Sequence, residues 1–332
     1  MKALITGITG QDGSYLAELL LKKRYDVYGI VRKTSHFLQP NIAHIQHNLH
    51  LIYADLLDPV SIDSVVREVM PDEVYNLASQ SAPSESFKQP IHTAEITGIG
   101  AHRVLEATRE ICPSAKFYQA SSSEMFGWVK EIPQTENTPF SPANPYAAAK
   151  LYAYNICEIY RKSYNMFICN GILFNHESPR RGLGFVTQKV TFAAACAKCG
   201  VKNSEFLNEA GEPIFKDGKV ALGNLEAKRD WGFAGDYVEA MWMMLQHDKP
   251  DDYIISTGET YSVKKLCQAA FGYVGLDWER YVIVDQRFVR PTETGPLVGD
   301  YTKARTILGW NPNIKFVDLI KMLVNAHMAR LK

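Results

Sequence analysis

Neither sign of charge dominates this chain. Its 36 Lys and Arg balance its 36 Asp and Glu, so the formal net charge is zero. A neutral balance gives no electrostatic footprint for nucleic acid or an anionic membrane, and neither is expected as a partner. Any anion must be gripped by a few placed cations. Long apolar runs are also missing, since none approaches the ~20 residues of a membrane-crossing helix. The opening Met1-Lys2-Ala3-Leu4-Ile5 passes directly into a strand pattern, without the features of a cleaved leader. A cytoplasmic protein is expected. The six cysteines, at 112, 157, 169, 196, 199 and 267, are scattered. In a large cytosolic enzyme they should be reduced and buried. Cys196 and Cys199 have redox or zinc spacing, but no second Cys or His pair lies nearby, so no metal is expected. Internal repeats and low-complexity linkers are absent as well.

What the sequence does contain is alternation. Strand patterns at 2–6, 27–31, 51–53, 73–77, 116–120 and 167–174 are interleaved with helical patterns at 14–23, 61–69, 99–110 and 146–164. Such alternation implies a parallel sheet covered on both faces. The fold class is therefore α/β, a Rossmann-type doubly wound parallel sheet with a smaller α/β substrate-binding C-terminal domain. The expected division assigns 1–174 plus about 233–258 to the dinucleotide domain, and 175–232 plus 259–332 to the other. In the second half, helices are expected at 187–199, 236–245, 263–274 and 316–328, a strand at 253–257, and a hairpin within 205–222.

Between the first strand and helix lies Thr6-Gly7-Ile8-Thr9-Gly10-Gln11-Asp12-Gly13. Glycines there let the backbone turn tightly and approach a pyrophosphate, whose charge suits the helix N-terminus. An acidic residue closing the second strand would grip the ribose hydroxyls of NAD. Here the strand ends Val31-Arg32-Lys33, and two cations would attract a 2′-phosphate. The expected cofactor is NADP. Asp55 and Leu56, after the third strand, are placed to meet the adenine.

Tyr146 and Lys150 sit one helical turn apart on one face. A free phenol has a pKa near ~10, so service as a base near neutrality requires a fall of roughly 3 units, about 4 kcal/mol. A neighbouring ammonium and an oxidised nicotinamide ring could provide it. Lys150 could also hold the nicotinamide ribose. The run Ser121-Ser122-Ser123-Glu124 follows the strand 116–120, at the end where catalytic groups collect in such sheets. A hydroxyl there can hold a substrate alcohol against Tyr146. Alcohol oxidation alone needs no carboxylate at Glu124, whereas an elimination does.

These residues carry a resemblance. The chain is similar, over nearly its whole length, to extended short-chain dehydrogenases/reductases of the NAD-dependent epimerase/dehydratase type, and within them to the GDP-mannose 4,6-dehydratase family. The matching stretches run from Thr6 to Ala17, Tyr75 to Ser81, Phe117 to Glu124 and Pro145 to Tyr152. Further matches run from Gly171 to Gly182 and Gly223 to Gly232, with Arg290-Pro291-Thr292-Glu293 and Leu308-Gly309-Trp310 late in the chain; Asn175 to Gly182 and Lys228 to Gly232 are the more specific.

The resemblance implies a hydro-lyase with internal redox. Tyr146 would take the 4-hydroxyl proton while hydride passes to NADP⁺. The 4-keto group would acidify carbon 5, and Glu124 would remove that proton and assist loss of the 6-hydroxyl as water. Hydride would then return to carbon 6, giving GDP-4-keto-6-deoxy-mannose. The implied catalytic residues are Ser122, Glu124, Tyr146 and Lys150. Serine stands at 122 where the family usually has threonine, and keeps the hydroxyl. The implied cofactor residues are Gly7, Thr9, Gly10, Gln11, Asp12, Gly13, Arg32, Asp55, Leu56, Leu77, Ala78 and Ser79, with Tyr146 and Lys150. The implied GDP-sugar residues are Ser81, Glu124, Asn175, Glu177, Arg181, Lys189, Arg229, Arg290 and Glu293. Arginine forks suit diphosphate oxygens.

The family comparison also points to a homodimer or homotetramer through the helical patterns at 99–110 and 146–164. Relatives often share cofactor contacts between subunits through a serine-rich stretch ending Phe-Asn-Thr. Here the residues are Thr34-Ser35-His36-Phe37-Leu38-Gln39. The stretch 202–220 is longer than the usual link; it either alters the sugar accepted, as for a GDP-heptose, or is a surface hairpin. Other functions remain open on sequence grounds: a nucleotide-sugar epimerase or 4-reductase with net redox, or a non-catalytic redox-sensing module.

Overall fold

The computed structural model describes residues 1–33, 39–289 and 294–331. The expectations for Thr34 to Leu38, Arg290 and Glu293 lie outside the described residues. Strands β1 (Lys2–Thr6), β2 (Asp26–Val31), β3 (His50–Tyr53), β4 (Glu73–Asn76), β5 (Lys116–Ser122) and β6 (Ile168–Leu173) join Asp252–Ile255 in one seven-stranded sheet. The spatial order is β3-β2-β1-β4-β5-β6 followed by Asp252–Ile255, and every pairing is parallel. The chain therefore winds outward from β1 in one direction, then returns to β4 and winds the other way. The crevice between β1 and β4 is the switch point where such sheets bind ligands.

Both sheet faces are apolar and covered. On one face, Leu16, Ala17 and Leu20 of helix α1 (Gln11–Lys22) pack with Tyr237, Met241 and Met244 of the helix Ala234–Gln246. On the other, Ile62, Val65 and Val66 pack with Val104 and Leu105. A separate apolar cluster joins Val190 and Phe192 to Phe215, Leu266, Phe271, Leu319 and Leu323. Ala304 and Trp310, which the sequence division places with the second domain, pack instead in the first cluster. The Trp310 indole donates to the Asp236 carbonyl at 2.8 Å, tying the late chain to the helix Ala234–Gln246.

Several boundaries differ from expectation, for local reasons. Helix α1 begins at Gln11 rather than at 14, with Gly10 as its N-cap. β5 continues to Ser122, so two of the three serines belong to the strand. The expected hairpin forms as Phe215–Lys216 and Lys219–Leu222, turning through Asp217 and Gly218 at positive φ. A third strand, Val282–Val284, adds to it in parallel. A turn of π-helix, Ala94–Ile99, runs into the helix Gly100–Ile111; no sequence signal announced it.

Candidate active site

Two cavities lie side by side over the carboxyl ends of the strands. The first, about 360 Å³, is walled by Gly7, Thr9, Gly10, Gln11, Asp12 and Gly13 and by Arg32, Asp55, Leu56, Leu77, Ala78 and Ser79. All twelve residues expected around a dinucleotide, the catalytic pair aside, are thus gathered by the fold. Ser81 and Arg181 line this cavity too, rather than the neighbouring one where the GDP-sugar reading places them. Gly7 sits at φ +72°, and a Cβ on it would meet the Ala78 nitrogen at 2.9 Å. A Cβ on Gly13 would fall 2.3 Å from the Gly7 carbonyl oxygen. Any side chain here would fill the cradle, so the loop fits the close backbone approach that a pyrophosphate requires.

Within that loop the side chains of Gln11 and Asp12 turn to the protein. The Gln11 amide donates to the His176 carbonyl at 3.1 Å and accepts from Ser178 at 2.8 Å. Asp12 Oδ2 lies 2.8 Å from His176 Nε2, while His176 Nδ1 faces the Phe174 carbonyl at 2.7 Å. Both ring nitrogens can bond these acceptors only in the imidazolium form. Burial alone would raise Asp12, but the His176 charge and hydrogen bond hold it down at about 2. Burial alone would lower His176, and Asp12 overrides it, leaving it raised. A buried ion pair therefore bolts the glycine loop to the strand Asn175–Glu177.

None of the four catalytic candidates is among the residues lining either cavity; they meet where β5 ends and the helix Pro145–Tyr164 begins. The helix Pro145–Tyr164 presents Tyr146 and Lys150, 8% and 4% exposed. Lys150 Nζ donates to the Ala120 carbonyl of β5 at 2.7 Å. Ser122 faces the phenol through its hydroxyl, which also accepts from the Glu124 amide at 3.2 Å. Glu124, 7% exposed, accepts from Asn144 Nδ2 at 2.9 Å. Asn144 also caps the catalytic helix, its Oδ1 accepting from the Ala147 amide at 2.8 Å. One amide thus fixes both the helix start and the carboxylate. The sequence reading missed Asn144, although Asn followed by Pro is a helix-start signature.

The expected acidification of the phenol calls on Lys150 together with an oxidised nicotinamide, and the protein alone sets the starting point. Burial pushes the Tyr146 phenol up to about 12, against the pull of the Ser122 hydroxyl and Arg181. Lys150 is itself lowered by burial to about 8. Its ammonium lies 5.8 Å from the phenol ring centroid and is spent on Ala120.

The second cavity, about 520 Å³, is lined by Asn175, Glu177, Lys189 and Arg229 among the expected nucleotide residues, with Trp231 and Phe288 beside them. The Asn175 side-chain Oδ1 is buried with no donor among the described residues. Glu177 accepts from Thr187 at 2.7 Å and lies 3.8 Å from Arg181; burial raises its pKa despite both. Arg229 donates to the Lys228 carbonyl at 2.7 Å. Lys189 Nζ meets Glu209 Oε2 at 2.5 Å. Leu207, Asn208 and Glu209 of the long 202–220 stretch line the cavity, so this stretch is more than a surface hairpin.

A doubly wound sheet with a glycine cradle at its switch point and a buried Tyr-Lys pair beside the end of β5 defines an extended short-chain dehydrogenase/reductase. The buried carboxylate beside the pair narrows the class towards dehydratases. The chain belongs to the GDP-mannose 4,6-dehydratase family, whose model matches residues 4–323. It is 49% identical over 342 residues to GDP-mannose 4,6 dehydratase 2 of Arabidopsis thaliana, covering 99% of this chain and 87% of that protein. It is 45% identical over 357 residues to GDP-mannose 4,6 dehydratase of Homo sapiens, covering 99% and 92%. Among solved structures, dTDP-glucose 4,6-dehydratase from Bacillus anthracis in complex with NAD superposes with a TM-score of 0.83 at 20% identity, covering 99% and 97%.

Proposed function

We propose that this protein converts GDP-mannose to GDP-4-keto-6-deoxy-mannose, with a pyridine nucleotide bound at the glycine cradle. The observation that carries the reading is the placement of Glu124, a buried carboxylate held by Asn144 beside the Ser122–Tyr146 pair. When bound, the nicotinamide accepts a hydride from the sugar and gives one back. The protein does the rest. Ser122 holds the sugar 4-hydroxyl against Tyr146, which accepts its proton as a phenolate; the positive charge of the bound nicotinamide would add to that of Lys150 against the burial that raises the phenol. Glu124 takes the carbon-5 proton made acidic by the 4-keto group. As the carbon 5–carbon 6 double bond forms, the carbon 6–oxygen bond breaks, and the departing hydroxyl receives that proton and leaves as water. Lys150 anchors its helix to β5 and keeps a cation beneath the reacting groups. Burial of Glu124, Tyr146 and Lys150 excludes water and strengthens each interaction.

The cofactor we assign is NADP. Arg32, immediately after β2, lines the cradle, and no carboxylate ends that strand. The dinucleotide lobe we assign is 1–174 with about 233–258, joined in its core by Ala304 and Trp310, and the rest of the chain is assigned to the GDP-sugar lobe. Self-association is assigned to Gly100–Ile111 and Pro145–Tyr164, where Tyr152, Ile159 and Tyr164 are exposed. The deciding assay follows GDP-mannose turnover by product mass and cofactor absorbance together. The expected result is a 4-keto product with no net absorbance change. Absorbance rising or falling in step with product would instead identify a reductase.

A further inference from the structure

The long 202–220 stretch ends up in the nucleotide cavity, and what it does there is not explained by the reaction. Lys189 projects from the helix Val186–Lys198 and is 7% exposed. A buried ammonium without a counter-charge is costly by several kcal/mol. Its carboxylate partner comes from the inserted stretch: Glu209 Oε2 meets Lys189 Nζ at 2.5 Å. The Glu209 side chain is 39% exposed, so one partner is sunk in the wall and the other lies near water.

Glu209 is presented by a closed turn. The Asn208 amide donates to the Glu212 carbonyl at 2.7 Å. Asn208 Oδ1 accepts from the Ala210 and Glu212 amides at 2.9 and 3.1 Å. Glu212 pairs with Arg287 at 3.0 Å, which moors the turn beside Phe288 on the opposite rim. The turn therefore holds its acid over the cavity as a preformed unit.

We propose that Glu209 is an internal counter-ion standing in for the substrate's diphosphate on Lys189, so that a nucleoside diphosphate binds only by displacing it. The inference rests on the reading of this cavity as the GDP-sugar site. A diphosphate brings more negative charge to the ammonium than one carboxylate does. The two anions cannot share Lys189, because like charges brought together at a desolvated site repel. The released Glu209 returns to water at small cost, being partly exposed already. Affinity for the nucleotide is thereby lowered by the free energy of the ion pair, as in any equilibrium where the binding-competent form is a minority. In exchange, the wall cation stays neutralised between turnovers.

The test compares the cofactor-loaded wild type with Glu209→Gln by titration calorimetry, using GDP and guanosine as probes. GDP is expected to bind Glu209→Gln tighter by on the order of fivefold. Guanosine, which has no phosphate, is expected to bind both proteins alike. Equal or weaker GDP binding by Glu209→Gln overturns the proposal, as does an equal gain for guanosine, which would indicate a lid over the base. Lys189→Met separates the two readings. If it retains cofactor yet binds GDP no more weakly than wild type, Lys189 does not hold the diphosphate and the site reading itself fails. If it weakens GDP while Glu209→Gln changes nothing, only the counter-ion proposal fails.

Discussion

The two cavities are built on different plans. The dinucleotide cradle is largely backbone: glycines of one turn, backed by the strand ends at 77–79. The nucleotide cavity is largely side chain, gathered from 82–85, 175–189, 207–209, 221–231 and Phe288. The first plan is a local geometric demand that a few adjacent residues satisfy. The second is an assembly that only the folded chain brings together. A backbone site should fail sharply when filled, whereas a side-chain site should weaken by degrees.

The largest effect is expected at the catalytic tyrosine. Tyr146→Phe removes the hydroxyl that takes the substrate proton, and turnover should fall by ~10²–10⁴. Stopped-flow reduction of bound cofactor should fall with it. A variant that keeps wild-type turnover would remove the phenol from the chemistry.

Gly13→Ala tests the backbone plan. Its Cβ would lie 2.3 Å from the Gly7 carbonyl, and neither atom belongs to a flexible side chain. Cofactor retention after gel filtration should be lost, with thermal stability reduced by roughly 1–3 kcal/mol from overpacking. Normal retention would mean the turn is softer than its geometry indicates.

Asn175→Ala tests the side-chain plan. The Asn175 side-chain Oδ1 is buried without a donor among the described residues, and leaving such a group unmatched costs about 1–3 kcal/mol. Deleting it should raise KM for GDP-mannose by about tenfold, one hydrogen bond's worth, with melting temperature unchanged or higher. A fall in both stability and kcat, with KM unmoved, would mean that Asn175 is a structural residue.

The smallest effect concerns the Asp12–His176 bolt between the two regions. His176 is raised above its ordinary 6.5, so its contribution is full below 6.5 and is lost as pH climbs through the folded value. Asp12 is lowered from 3.8 to about 2, so its contribution is full above 3.8 and is lost as pH falls towards 2. Both are present between pH 3.8 and 6.5. Melting temperature measured against pH should decline on the alkaline side of that window, and His176→Asn should flatten the decline. An unchanged slope in the variant would show that other groups set it.

The same contrast explains what could be read from the sequence. The sheet order follows from strand-helix alternation, and the cradle from a turn whose glycines are neighbours. Tyr146, Lys150, Ser122 and Glu124 were legible because they cluster around one strand end and one helix start. Sequence did not reveal what each side chain bonds. Asp12 turns to His176, 164 residues away, and Lys150 turns to Ala120. Nor did sequence show that Arg181 would face the cradle rather than the GDP-sugar cavity. Such choices depend on burial and on distant partners, neither of which has a local period. The Tyr146 pKa is the clearest case. Proximity in a helix points to acidification, and the protein's own desolvation, a property of the whole fold, opposes it.

The central claim is a hydride that leaves the sugar and comes back to it. GDP-mannose carrying deuterium at carbon 4 tests it most directly, with the product read by mass spectrometry and NMR. Deuterium should appear at carbon 6 of each product molecule, with none accumulating in the cofactor. Deuterium retained on the cofactor in proportion to product, or product with unlabelled carbon 6, would contradict the account.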